Sequence, residues 1–376
     1  MIYGALFNCV DTALTIAASM SARNPFMSPF EKRDEADAAK KEFSTEESDH
    51  LTTLTAFNKW KELKRSARGK SSIKTFLNES FLSQMTLFQM ENLRRQFADL
   101  LVDIGFLPKG FRLDGKSRRT SSDAPDTSPN ANSENMQLVK AVLCAGLYPN
   151  VIIAPRELVS PLNTKKVSEC AFRSAKGDSV YLHPSTISFS AKRLSNRYCV
   201  YHEIMKTSKI YVRDCTPVGE FALLLFGGSL KLFHEKGIVS IDNWILFRIN
   251  AKLASILKHL RACMENLLLK KIVSPDEDVT GSSEARGLIQ AVSVLLETET
   301  NKSNTVKNDG SEIVRPRNGN SDNDDRSGGR SGGRGRGRGR GGGRHGNSDN
   351  HDRSGGRGGR GRGRGGGRGR GSGRRN

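Results

Sequence analysis

The sharpest candidate for catalysis in the sequence is Gly110–Ser117, GFRLDGKS, which fits the phosphate-loop pattern G-x-x-x-x-G-K-[ST] through Gly110, Gly115, Lys116 and Ser117. The pattern works when a buried strand feeds the loop and a helix opens at the lysine, so that backbone N–H groups and the helix terminus receive phosphate oxygens. Here a helical segment precedes the loop and a Ser/Pro/Asn-rich stretch follows it. No later apolar strand ends in an aspartate that could hold magnesium. The match is therefore read as a chance one in a loop, and no catalytic residue, metal or bound cofactor is expected in this chain. His183, His202 and His234 fall in a strand-rich region with no serine, cysteine or aspartate at a telling spacing, so neither a triad nor a metal cluster follows. Asp49–His50 reads as the start of a helix rather than an acid–base couple. The cysteines (Cys9, Cys144, Cys170, Cys199, Cys215, Cys263) hold no C-x-x-C pair and sit mostly in apolar runs, as buried free thiols of a reducing compartment do.

Binding chemistry is better represented. The 376 residues carry 60 Lys+Arg against 40 Asp+Glu, a net charge of +20. Residues 326–376 alone hold 16 Arg, 23 Gly and two Asp, which leaves +6 on the remainder. Each guanidinium can fork onto a phosphate and stack on a base face. Repeated Arg-Gly binds RNA with little sequence preference and strong salt dependence. The expected contacts are Arg330, Arg334, Arg336, Arg338, Arg340, Arg357, Arg360, Arg362 and Arg364. A merely solubilising tail is the bland alternative. In the body, Tyr181-Leu182-His183-Pro184-Ser185 ends a strand in a turn, and Lys206-Thr207-Ser208-Lys209 joins two strands, with Tyr211 and Arg213 beyond. His183, Ser185, Lys206, Thr207 and Lys209 are read as one rim suited to single-stranded nucleic acid.

These groups need a scaffold, and the sequence predicts an α+β one. Residues 1–107 read as a helical bundle: Leu51, Leu54, Phe57, Trp60 and Leu63 recur at spacing three, and Leu93, Phe97, Leu100, Leu101 and Ile104 follow the 3.6-residue period up to Gly105. Residues 108–134 are polar, with Pro125 and Pro129, and read as a disordered linker. Residues 135–249 combine a helix ending at Gly146 with short strands at 151–154, 167–172, 179–183, 197–205, 209–213, 230–234 and 239–248. A helical insert is predicted over Thr216–Phe226, with Thr216 as N-cap and Pro217 at its first position. That pattern suits a small barrel of the OB type. Helices over 250–272 and 283–297 pack on it, and residues 298–376 lack the apolar content to fold. The tail is duplicated, NSDNDDRSGGR (320–330) returning as NSDNHDRSGGR (347–357). No run approaches the ~18 apolar residues of a membrane span. Met1–Ala22 lacks a basic leader and is interrupted by Asp11, so it reads as a core helix of a cytoplasmic or nuclear protein with no membrane partner.

Several strings carry a family likeness: IYGALFNCVDTALTIAASMSARNPF (2–26), SDHLTTLTAFNKW (48–60), LRRQFADLL (93–101), KAVLCAGLYPNV (140–151), VYLHPS (180–185), VYHEIMKTSKIYVRDCTPV (200–218) and LLLFGG (223–228). Residues 1–297 resemble the C-terminal half of DExH/DEAH-box RNA helicases, most closely the RNA- and G-quadruplex-associated branch. The resemblance implies a helicase-associated helical (ratchet) domain followed by an OB fold, both lining a channel for single-stranded RNA and lying against the motor domains. It also implies that His183 and Ser185 stand near RNA. ATP and magnesium belong to the family's two upstream motor domains, whose motifs this sequence does not contain. The expectation is thus an RNA-binding module without an ATPase motor. Its alternatives are a partial record of an active 3'-5' helicase and a protein-interaction scaffold of ribonucleoprotein particles. With the first ratchet helices expected upstream, Ile2, Leu6, Phe7, Leu14 and Ile16 should leave apolar surface uncovered.

Overall fold

The computed structural model describes residues 1–66, 70–113, 128–160, 162–275, 277–279 and 281–304. The Gly115–Ser117 part of the phosphate-loop match and every arginine proposed in the tail lie outside these residues. Helix starts are set by short polar side chains that take up otherwise unpaired N–H groups, each worth roughly 1 kcal/mol. Ser48 accepts from Leu51 N–H ahead of α4 (Asp49–Arg65), Ser83 from Thr86 N–H ahead of α6 (Gln84–Asp103), and Asn135 from Leu138 N–H ahead of α7 (Met136–Leu147). Gly105, at φ +76°, ends α6 as predicted, because only a residue without a side chain turns into that region at low cost.

Around these stand α1 (Ile2–Leu6), α2 (Val10–Ser21), α3 (Arg33–Glu42) and α5 (Lys70–Glu79). The N-terminal helices are not left bare. Leu6, Phe7, Leu14 and Ile16 are buried, and Ile2 alone of the five stays exposed. The reason is that α1 finds its cover downstream: Tyr3 and Phe7 meet Phe226 of α8 (Glu220–Phe226) edge-on, at 5.4 and 5.7 Å between ring centroids. A Cβ on Gly4 would stand 2.4 Å from Ala13 Cβ, so this glycine permits the close approach of α1 to α2.

The stretch read as a linker is corrected at its described C-terminal end. Asn130 Oδ1 accepts from Asp11 N–H, Pro129 O accepts from Val10 N–H, and Asn132 Nδ2 donates to Phe7 O. Residues 128–134 thus cap the start of α2, a task for which asparagines suit better than apolar residues.

Five strands close a barrel in the order β1-β2-β3-β5-β4: β1 (Val151–Ile153), β2 (Phe172–Ser174), β3 (Ser179–Leu182), β5 (Ile210–Val218) and β4 (Tyr198–Lys206). Its interior holds Ile152, Phe172, Val180, Leu182, Cys199, Val212 and Cys215. Two local expectations change. Residues 167–169 form a 3-10 turn rather than a strand. Thr216 and Pro217 belong to β5, where Thr216 pairs with Val200 and Pro217 with Cys199, and α8 starts only after Gly219. Thr216 is drawn into the strand because its hydroxyl meets Ser48 Oγ at 2.6 Å and His50 Nδ1 at 2.8 Å on α4.

The strands read at 230–234 and 239–248 as part of the barrel are corrected. They form a separate antiparallel sheet after α8, β6 (Leu230–Phe233), β7 (Ile238–Ile241) and β8 (Ile245–Arg248), because β7 folds back on both neighbours and pairs with no barrel strand. Then come α9 (Ala251–Val273) and α10 (Ser283–Asn304), the last extending past residue 297, where the tail had been placed. One apolar cluster runs from Leu6 and Leu51 through α7 and α8 to Leu257, Ile289 and Val292. Five of the six cysteines are buried free thiols. Among the described residues no helix is long and apolar enough to cross a membrane.

Candidate nucleic-acid interface

β3 and β5 run parallel, with Tyr181 opposite Tyr211 and Leu182 opposite Val212. Alternation sends Val180, Leu182 and Val212 into the barrel and leaves Tyr181, His183, Tyr211 and Arg213 on the outer surface. There the side chains meet. The Tyr181 and Tyr211 rings lie 6.3 Å apart, His183 stands edge-on to Tyr211 at 6.1 Å, and Lys209 Nζ sits 4.4 Å over the Tyr181 ring. Met205 of β4 pairs directly across from Tyr211. The result is a half-exposed aromatic strip edged by cations, which offers flat faces for bases and charge for phosphates.

The His183 turn is held from two sides. Nδ1 lies 2.8 Å from Ser185 Oγ and 3.1 Å from Ser185 N, and Nε2 lies 3.1 Å from Arg213 Nη2. Burial first, and then the Arg213 charge, lower the His183 pKa, which favours the neutral ring. From the helical side, Lys40 Nζ donates to Ser185 O at 2.7 Å. The buried Asp49 carboxylate accepts from Ile187 N–H at 2.9 Å, Cys215 N–H at 3.0 Å and Lys40 Nζ at 3.2 Å. Asp49 therefore positions the turn through the backbone, and the first turn of α4 is joined to the strip.

Asp214, at φ +51°, changes the parity of β5, so that Val212 and Cys215, three positions apart, both enter the barrel core. Burial and the Asp49 charge push its carboxyl up to about 6. Beside it opens a cleft of about 460 Å³, lined by Arg23 and Asn24 from the loop after α2, His50 from α4, and Ser185, His202 and Arg213 from the barrel.

Of the residues selected from sequence, His183, Ser185 and Lys209 come together here. Lys206 and Thr207 do not join them: Lys206 pairs with Ile210, one position out of phase with Tyr211, and Thr207 N–H closes the hairpin onto Lys209 O at 2.9 Å. Tyr181, Tyr211 and Arg213, noted in the sequence only as neighbours of these residues, join them because β3 and β5 pair in parallel. Lys40 gave no signal, because its partner lies 145 positions away. Among the described residues no group of three or more His, Cys, Asp or Glu side chains is placed to hold a metal ion.

His50 gives this junction a measurable pH signature. It is buried, its Nε2 has no hydrogen-bond partner among the described residues, and burial, with His202 second, pushes its pKa down to about 3 from 6.5. A neutral buried imidazole contributes stability that is full above the unfolded pKa and is withdrawn as pH falls toward the folded one. Between pH 7 and 5 that withdrawal is about 2 kcal/mol. The stability deficit of His50→Gln relative to the parent should narrow by that amount at pH 5, measured by urea unfolding. A deficit that stays constant with pH would show that the ring does not resist protonation.

Three family models match in succession: the helicase-associated, ratchet-like HA2 domain over residues 1–53, an oligonucleotide/oligosaccharide-binding fold over 139–230 and the C-terminal domain of RNA helicases over 237–298. The chain is 37% identical over 306 residues to the ATP-dependent DNA/RNA helicase DHX36 of Mus musculus. It is 35% identical over 329 residues to the putative ATP-dependent RNA helicase DHX57 of the same species. It is also 35% identical over 304 residues to the DExH-box ATP-dependent RNA helicase DExH1 of Arabidopsis thaliana. Each alignment takes in 80% of this chain but only 28%, 23% and 27% of the respective relative.

Proposed function

The chain corresponds to the C-terminal part of a DExH-box RNA helicase, and from that premise we propose that it binds single-stranded nucleic acid, RNA above all, on the outer face of β3 and β5. Tyr181 and Tyr211 stack bases, Lys209 and Arg213 meet phosphates, and His183 with Ser185 fixes the edge of the strip. What carries the reading is the convergence of these two tyrosines, one imidazole and two cations within ring-contact distance on a single barrel face. In this reading the chain supplies nucleic-acid contacts to an ATP-driven motor and hydrolyses no ATP through Lys116. It works in the cytoplasm or nucleus, and guanine quadruplexes join single strands among its ligands.

The test is fluorescence anisotropy with a single-stranded RNA at about 0.3 M salt, where non-specific charge contributes least. Stacking is worth ~1–3 kcal/mol per base, so Tyr181→Ala with Tyr211→Ala, which removes two stacking faces, should raise Kd between about thirtyfold and about ten-thousandfold. Phenylalanine at both positions should retain binding. His183→Ala or Lys209→Ala should each cost ~1 kcal/mol, the scale of one charged or stacking contact. A double alanine variant that binds as tightly as the parent ends this reading.

A further inference from the structure

Away from the aromatic strip, two connections of the barrel bring four cations to one place. Lys165 and Lys166 precede the Val167–Glu169 turn between β1 and β2, and Lys192 and Arg193 follow the Ile187–Ser190 turn between β3 and β4. The two connections are laced through their backbones. Val167 N–H donates to Ala191 O at 3.0 Å, and Leu194 N–H to Leu158 O at 2.8 Å. The Asn163 amide donates to both Lys165 O at 2.6 Å and Lys192 O at 2.5 Å, and Asn163 Oδ1 accepts from Lys165 N–H at 3.1 Å. One buttressed asparagine thus fixes the chain beneath two of the four charges.

The side chains themselves are exposed, and none of the four takes part in an ion pair among the described residues. Of the neighbouring acids, Glu169 turns its carboxylate to the backbone N–H of Lys166 rather than to a side-chain ammonium. Four like charges on a fixed frame repel one another, a cost that a row of anions removes. Flexible cations with no aromatic group among them read the repeating charge of a backbone rather than base identity. The loop carrying Lys192 and Arg193 is also the continuation of the His183–Thr186 turn that borders the strip.

We propose that Lys165, Lys166, Lys192 and Arg193 form a second phosphate-binding point, which holds the backbone of the nucleic-acid strand whose bases lie on the Tyr181–Tyr211 face. The proposal rests on the nucleic-acid reading of that face. It extends the footprint on the barrel from base stacking to a charge clamp that sets how the strand leaves it.

The experiment uses the full chain and a single-stranded RNA of about 20 nucleotides, longer than the ~4–16 nucleotides one OB fold covers, titrated against salt. Glutamine at all four positions removes up to four phosphate contacts, each worth about 0.7 in the slope of log K against log salt for a single strand, so the slope should shrink by about 2–3. Binding at low salt should weaken at least about tenfold, while arginine at the three lysines should retain it. Bound RNA should shield Lys165, Lys166 and Lys192 from acetylation and leave Lys258 on α9 reactive. An unchanged slope with no shielding overturns the proposal. So does an unchanged slope accompanied by loss of binding to a phosphate-free polyglutamate peptide, which would assign the cluster to an acidic protein. Normal dependence on Tyr181 and Tyr211 alongside an unchanged slope removes the clamp alone. Indifference to both tyrosines removes the underlying reading as well.

Discussion

Asp11→Ala should destabilise the fold by about 3–5 kcal/mol, the cost of stripping a counter-charge from buried cations. Asp11 opens α2, and its carboxylate receives Arg94 from α6 and Lys61 from α4, the latter at 3.3 Å. The Arg94 side chain is only 2% exposed and lies 5.0 Å from the centre of the Phe57 ring; Lys61 is 11% exposed. Burial foremost, and then Arg94 itself, lower the Lys61 pKa, and Asp11 is the group that works against both. Without it they face one another inside the bundle. A loss of this size is a large part of the 5–15 kcal/mol typical of a native domain. Urea unfolding should show a markedly lower midpoint with an unchanged m-value. Replacing the three together by Leu at 11 and Met at 61 and 94 should recover most of the stability, since a well-packed apolar set of similar volume avoids the desolvation cost. A single variant within 1 kcal/mol of the parent would mean that water already reaches both cations.

This triad marks where sequence reading stops. In the sequence Asp11 was an interruption of an apolar run, and Arg94 one polar position within the periodic LRRQFADLL. Nothing local joins two residues 83 positions apart. What could be read was what depends on near neighbours. The helix over 49–65, the stop at Gly105 and the strands near 151–153, 179–182 and 198–206 followed from spacing, because periodicity and turn residues act within one element. The assignment of 230–248 to the barrel did not hold, since which sheet a strand joins is set by distant pairing. The departures at Pro217 and Asp214 have the opposite origin. A Thr-Pro pair reads locally as a helix start, yet the bonds from Ser48 and His50 to Thr216 draw the segment into β5. Asp214 then accommodates the change of face in a backbone region that its sequence neighbours do not announce. The strip followed the same rule. Tyr181, His183, Tyr211 and Arg213 stood out as aromatic and basic groups of two short segments, but their meeting depends on the parallel pairing of β3 with β5. Lys40 and Asp49, which hold the turn from another part of the chain, gave no signal.

Removing residues 315–376 should take away most of the affinity for single-stranded RNA at low salt and flatten its salt dependence. Residues 326–376 hold 16 arginines separated largely by glycine. Each phosphate so neutralised contributes about 0.7 to the slope for a single strand, so engagement of half of them would account for a slope of roughly 5–6. The barrel adds a different kind of term. Tyr181, Tyr211 and His183 are fixed by strand pairing and by the bonds from Asp49 and Lys40, so their contribution lies in stacking geometry and survives salt that removes the arginine term. The shortened protein should therefore bind weakly, prefer single strands over duplex, and become sensitive to Tyr181→Ala and Tyr211→Ala in a way that the full chain at low salt masks. Salt titrations of both lengths, with and without the tyrosine substitutions, separate the two terms. If the shortened protein keeps the full slope, the charge that binds RNA lies on the barrel and helices rather than in the arginine–glycine segment. If it binds but ignores the tyrosines, the strip is not where the bases lie.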